Sequence, residues 1–177
     1  MIYRFKIISD EKDNFLREIE IDSEANFLQL RNVILESVDY KKNDDISFFL
    51  CDDDWTFEEQ ISLDDNGFYI DKDIWLMEDT PLDELIEDEG QKLVLMFDTD
   101  NERCFYMELR EIITGRTMHD PLCTRKEGKA PLQKKVEKLP EASKKVKENS
   151  TLEDFDLNFY GDTNFNEDEL PEEIGEF

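Results

Sequence analysis

Gln91-Lys92-Leu93-Val94-Leu95-Met96-Phe97-Asp98-Thr99-Asp100-Asn101-Glu102-Arg103-Cys104-Phe105-Tyr106-Met107-Glu108-Leu109-Arg110-Glu111-Ile112 is the longest strand-like stretch of the chain. Two apolar, aromatic runs flank a polar knot at 98–102, the pattern of a β-hairpin with a five-residue loop. A hairpin this long and this apolar belongs at the centre of a sheet. Its loop also gathers the carboxylates with the best claim to chemistry.

Working outward, Ile2-Tyr3-Arg4-Phe5-Lys6-Ile7-Ile8 alternates apolar and basic residues, the signature of a strand with one buried face. Ser9 to Asn14 is polar and turn-forming, and Phe15 to Ile21 alternates again as the partner strand. From Asp22 or Ser23 a helix over roughly 24–38 carries Phe27, Leu30, Val33, Ile34 and Val38 at helical spacing. Ile46 to Cys51 reads as a strand buried on both faces at Phe48-Phe49-Leu50. Gln60 to Leu63 and Trp75-Leu76-Met77 read as short extended segments on either side of the turn Asp64-Asp65-Asn66-Gly67. Thr80-Pro81-Leu82-Asp83 starts a second helix, with Thr80 as cap, that buries Leu82, Leu85 and Ile86 and stops near Gly90. The order predicts an α+β domain, a mostly antiparallel sheet with two main helices in a β-grasp-like arrangement.

Composition divides the chain. The formal net charge of −26 splits into −21 over residues 1–120, +5 over 121–149 and −10 over 150–177. The sequence accordingly reads as an α+β core at 1–120, a lysine-rich extension at 121–149 and an acidic tail at 150–177. The tail carries Phe155, Phe159, Tyr160, Phe165 and Phe177 among its acids, a composition that docks aromatics into grooves. Val136, Leu139, Ala142 and Val146 could support a short helix between and after Pro131 and Pro140. So large a negative charge repels phosphates and anionic lipid surfaces, which disfavours direct nucleic-acid binding and membrane association. Cys51, Cys104 and Cys123 are odd in number and lack paired spacing, the N-terminus is no signal peptide, and no apolar run spans a bilayer. A reduced, cytoplasmic protein is expected.

Asp98 and Asp100, with Glu102 beside them, could bind a cation or act as acid and base, although Asp and Asn also simply favour turns. Arg17 and Arg103 are the candidate cations for lining a pocket beside that loop, should the fold form one. His119 and Cys123 would make a zinc site only with two further ligands, and a Cys–His hydrolase lacks its glycine-rich oxyanion pattern, so no metal, catalytic group or cofactor is assigned. Asp52-Asp53-Asp54 lacks EF-hand spacing and reads as a solvated turn, and Trp55 and Trp75 read as core.

Several short motifs occur in a telling order: Phe15 to Ile21, Phe27-Leu28-Gln29-Leu30, Trp55, Met77 to Leu85, Gly90-Gln91-Lys92-Leu93, Phe97-Asp98-Thr99-Asp100, Pro121 and Gly128-Lys129-Ala130-Pro131-Leu132-Gln133. Together they resemble the plasmid pRiA-type ORF-three-like family of bacteria, archaea and mobile elements, over about residues 1–133. The family's hairpin signature, an aromatic, Asp, Phe, Gly, Asp and a later Trp, keeps only Phe97 and the first aspartate, Asp98, in register, and its strand-two Trp-Arg pair keeps only Arg17. The resemblance implies an α+β, β-grasp-like fold and transfers no activity. The expected function is a non-enzymatic protein-interaction domain with a protein partner, its acidic tail docking in cis or on a neighbouring subunit. The alternatives are an acidic DNA mimic inhibiting a nucleic-acid enzyme, and a metal protein or enzyme built on the 98–102 loop.

Overall fold

The computed structural model describes residues 1–65 and 73–134. The turn expected at Asn66-Gly67, the short helix expected over residues 136–146 and the tail 150–177 lie outside the described residues. Among those described, the elements run β1 Ile2–Ile8, β2 Leu16–Asp22, α1 Phe27–Ser37, β3 Ser47–Cys51, β4 Phe57–Ser62, β5 Ile74–Leu76, α2 Leu82–Leu85, β6 Lys92–Asp98, β7 Arg103–Ile113 and β8 Leu122–Glu127. All eight strands share one sheet, ordered β5-β4-β3-β6-β7-β1-β2-β8. The β6–β7 hairpin occupies its middle, as its apolar pattern demands, and the β4–β5 pair alone is parallel. The fold is α+β with a mostly antiparallel sheet.

Alternation decides the faces. Tyr3, Phe5 and Ile7 of β1, Ile19 and Ile21 of β2, Leu93, Leu95 and Phe97 of β6, and Phe105, Met107 and Leu109 of β7 are buried on one face. Phe27, Leu30 and Ile34 of α1 join the same cluster. At ~25 cal/mol per Å2 of apolar surface, this continuous core is the main term holding the described unit together. Phe49, Cys51, Val94 and Met96 form a smaller cluster on the opposite face, where Phe57 stacks on Phe49 at 4.3 Å between centroids. β3 is buried along its whole length because it contributes to both clusters.

The helices are shorter than their sequence patterns predict. α1 begins at Asn26, whose side chain accepts from the Gln29 amide while the Gln29 side chain accepts from the Asn26 amide. The preceding donors are also taken: the Phe27 amide donates to the Thr80 carbonyl and the Leu28 amide to that of Met77. α2 is a single turn rather than a helix reaching Gly90. The Gln91 side chain explains the stop, because it donates to the Leu85 carbonyl and accepts from the Glu87 amide, so the helical ladder has no next rung. Thr80 does not cap it; its hydroxyl donates to the Leu76 carbonyl, and Pro81 stands at the cap position. Trp55 and Trp75 are half-buried against the two clusters. Strand β8 had no apolar alternation to announce it. It adds to the edge of β2 with Arg17 opposite Lys126 and Ile19 opposite Cys123.

Candidate functional site

The two arginines singled out at the sequence level lie on inward-facing positions of their strands. In β2 the parity that buries Ile19 and Ile21 also buries Arg17, and in β7 the parity that buries Phe105 and Met107 brings Arg103 to the rim of the same face. A charged group in such a place needs its donors satisfied. Arg103 uses all five of its N–H groups. Nε donates to Glu11 Oε2 at 2.8 Å and Nη2 to Glu11 Oε1 at 3.0 Å. Nη1 donates to Asp98 Oδ2 and to the Gln133 carbonyl, both at 3.2 Å, and Nη2 to the Leu132 carbonyl at 2.6 Å. The guanidinium also lies 4.9 Å from the centroid of the Phe97 ring. The Glu11 hydrogen bonds, with Asp98 behind them, hold Arg103 more firmly protonated than usual against the opposing effect of burial.

Among the described residues no carboxylate hydrogen-bonds Arg17, which is held by carbonyls. Nε donates to Ser37 at 3.1 Å, Nη1 to Leu16 at 2.8 Å and Glu127 at 2.7 Å, and Nη2 to Gly128 at 3.0 Å. Its carbon Cζ lies 4.5 Å from the centroid of Phe15. Burial, the largest effect, lowers its pKa.

These arginines converge on one extended segment, residues 127–133. Arg17 takes the carbonyls of Glu127 and Gly128, the Tyr40 hydroxyl donates to that of Pro131, and Arg103 takes those of Leu132 and Gln133. The Gln133 side chain then pairs with the Lys41 backbone, accepting from its amide at 2.9 Å and donating to its carbonyl at 2.7 Å. Beneath the segment Phe15, Tyr40, Phe97 and Phe105 form a ring cluster with centroids 4.7–5.7 Å apart. Pro131 is buried and Ala130 packs on the core. Gly128 has φ +70°, and a Cβ there would sit 2.4 Å from the Asn14 carbonyl oxygen, so only glycine fits. Burial pushes the Tyr40 phenol up, which keeps it a donor.

Asp98 sits at the end of β6, opposite Arg103. Its oxygens accept from the Asn101 amide and side chain, at 3.3 and 2.9 Å, and from Arg103. Burial is the largest single influence on its carboxyl and acts upward, but the bonds from Asn101 and Arg103 outweigh it and hold the pKa below 3.8. Asp100 and Glu102 are exposed, and Glu102 takes a left-handed conformation at φ 53° that closes the turn. The structure therefore brings together Asp98, Arg103 and Glu11, and places Arg17 at the other end of the 127–133 segment. Glu11, Tyr40 and Gln133 were not anticipated. Only the shared inward parity of Arg17 with Ile19 and Ile21 could have pointed to the groove.

Other reactive groups are quiet. Burial pushes the Cys51 thiol up to about 12 and the Cys104 thiol up to about 11, so neither is an activated nucleophile. The His119 side chain is 97% exposed, and no group of three metal-ligating side chains occurs among the described residues. Among those residues no helix is long and apolar enough to cross a membrane.

A family model described as plasmid pRiA4b ORF-3-like protein matches residues 1–156. No curated protein matches. The chain is similar to the crystal structure of a protein of unknown function from Methanosarcina mazei Go1, with 15% identity, a TM-score of 0.55 and coverage of 71% of this chain and 68% of that one. That likeness concerns the fold.

Proposed function

Since the chain belongs to the plasmid pRiA4b ORF-3-like family and its Arg17 and Arg103 are occupied by its own backbone, we propose that it is a non-enzymatic protein-interaction domain. The observation that carries this reading is the groove at 127–133. Side chains from β2, the 38–41 turn and β7 capture five backbone carbonyls of an extended segment, which is how a peptide-binding surface is built. Asp98 spends its oxygens on Asn101 and Arg103, which argues against a cation or a substrate proton there. The β-grasp-like outline belongs to the same reading, supported by the β1–β2 hairpin leading directly into a helix that packs on the sheet.

In this reading the acidic, aromatic-containing residues 150–177 supply the contact to a protein partner in a cytoplasmic setting. The test is reconstitution from purified components. A partner identified by co-purification is mixed with the full chain and with a chain lacking 150–177. Binding to the full chain and at least a tenfold loss on deletion is expected. Equal binding by both, or a turnover abolished by Asp98→Ala, overturns it.

A further inference from the structure

The segment in the groove is the end of a longer arm whose attachment to the rest of the domain is narrow. β8 and the 127–133 stretch make one continuous piece, 122–133, that follows β7 after the eight residues 114–121. Six of those eight are exposed, Gly115 sits at φ +73°, and the Met118 amide donates to Asp22 Oδ2. The arm's partners all precede residue 106: β2 along its edge, Asn14 against Gly128, and Arg17, Tyr40, Lys41 and Arg103 on the carbonyls. Of the arm's own residues only Pro131 is fully buried, with Cys123, Ala130 and Gln133 half-buried. Lifting the arm away would therefore leave the main core standing. Arg103 would keep Glu11 and Asp98, and Arg17 would exchange two carbonyls for water.

We propose that residues 122–133 are an exchangeable arm, and that the groove of Arg17, Tyr40 and Arg103 also takes the same arm of a second copy of this chain. The bonds gained are identical in the closed monomer and in a reciprocal, two-fold pair, so tether length and concentration choose between them. A short flexible tether holds the arm at an effective concentration of about a millimolar, which keeps dilute chains closed. The span to be bridged runs from Ile113, opposite Ile2, past β1 and β2 to Leu122, opposite Glu20. Three strand spacings and two residues along the strand make it roughly 16 Å. Eight intervening residues bridge this with slack; two reach only about 11 Å. This inference deepens the reading of the groove as a peptide-binding site, and it is independent of whether 150–177 bind a partner.

The test shortens the tether. Deletion of Gly115–Asp120 leaves Thr114 and Pro121 as the link. The expected result is a doubling of the mass in solution, with the β8 amides that pair with β2 still protected from hydrogen exchange. A monomer whose arm exchanges freely, or a dimer with an unprotected arm, overturns the proposal. A second measurement uses a chain of undiminished length with a specific protease site inserted between Arg116 and Thr117. After cleavage, the C-terminal fragment is expected to stay bound and to be replaced by an excess of isotope-labelled fragment. Dissociation at micromolar concentration, or no replacement, likewise overturns it. If the shortened chain fails to fold, the cleaved chain decides.

Discussion

Arg103 and Glu11 lie 92 residues apart in sequence and meet in a two-bonded ion pair, Nε to Oε2 at 2.8 Å and Nη2 to Oε1 at 3.0 Å. With the guanidinium side chain only 10% exposed, that pair fastens the turn after β1 to the hairpin at the centre of the sheet. The same guanidinium holds Asp98 and the carbonyls of Leu132 and Gln133. One side chain thus ties two stretches outside the sheet, the turn after β1 and residues 132–133, to the central hairpin.

Arg103→Lys keeps the charge and loses the planar fork, since an ammonium offers three donors in place of five. Two or more of the acceptors at this site are then left unpaired, and a stability loss of about 2 kcal/mol is expected. For a unit of this size that lowers Tm by about 6–10 °C. Proteolysis at exposed Lys129 should accelerate while the amides of β6 stay protected from hydrogen exchange. An unchanged melting curve means the fork is not holding the segment.

Gly128→Ala tests the other end of the groove. At φ +70° an L-residue costs about 1–2 kcal/mol, and the new Cβ also collides with the Asn14 carbonyl. The variant should keep its core and release residues 128–133, read as faster proteolysis at Lys129 with β1 and β7 amides still protected. Wild-type proteolysis rates in the variant count against the tight fit.

Asp98 couples the hairpin loop to pH. Its folded pKa lies below 3.8, so the unfolded chain binds the proton more readily than the folded one. The stabilisation is whole above the ordinary carboxylate range and is lost as pH falls through the folded value. Denaturant unfolding from pH 7 to below 3 should show Asp98→Asn losing less stability with acidification than wild type. Parallel curves for the two mean Asp98 is not the linked group.

Thiol accessibility separates the three cysteines. Cys51 is 6% exposed with its thiol pushed up to about 12, and burial holds Cys104 up at about 11. Cys123 lies half-buried on the edge strand β8. At pH 8 a disulfide reagent should consume one equivalent quickly and the remaining two only on unfolding. Three fast equivalents mean that the cluster at Phe49 and Val94 opens readily.

Period-two alternation made β1, β2, β6 and β7 legible, because burying one face of a strand leaves a mark every second residue. The capping pair Asn26 and Gln29 stands in the sequence too, yet the pattern starts the helix at Asp22 or Ser23, because apolar spacing alone says nothing about where amides find acceptors. β8 left no such mark. It carries Leu122, Cys123, Thr124, Arg125, Lys126 and Glu127 with mostly exposed side chains, and it is held by backbone pairing to β2, which is indifferent to side-chain type.

The candidate site divides the same way. Asp98, Arg17 and Arg103 could be picked out as charged residues in apolar surroundings, and the central hairpin, its buried faces and the family are readable from residue order alone. What those charges do was decided only by tertiary structure. Glu11 is 92 positions from Arg103, and Tyr40 is 91 from Pro131. A desolvated guanidinium must find acceptors wherever the chain brings them, and here six are backbone carbonyls, four of them in 127–133, groups that every residue carries and no sequence pattern singles out.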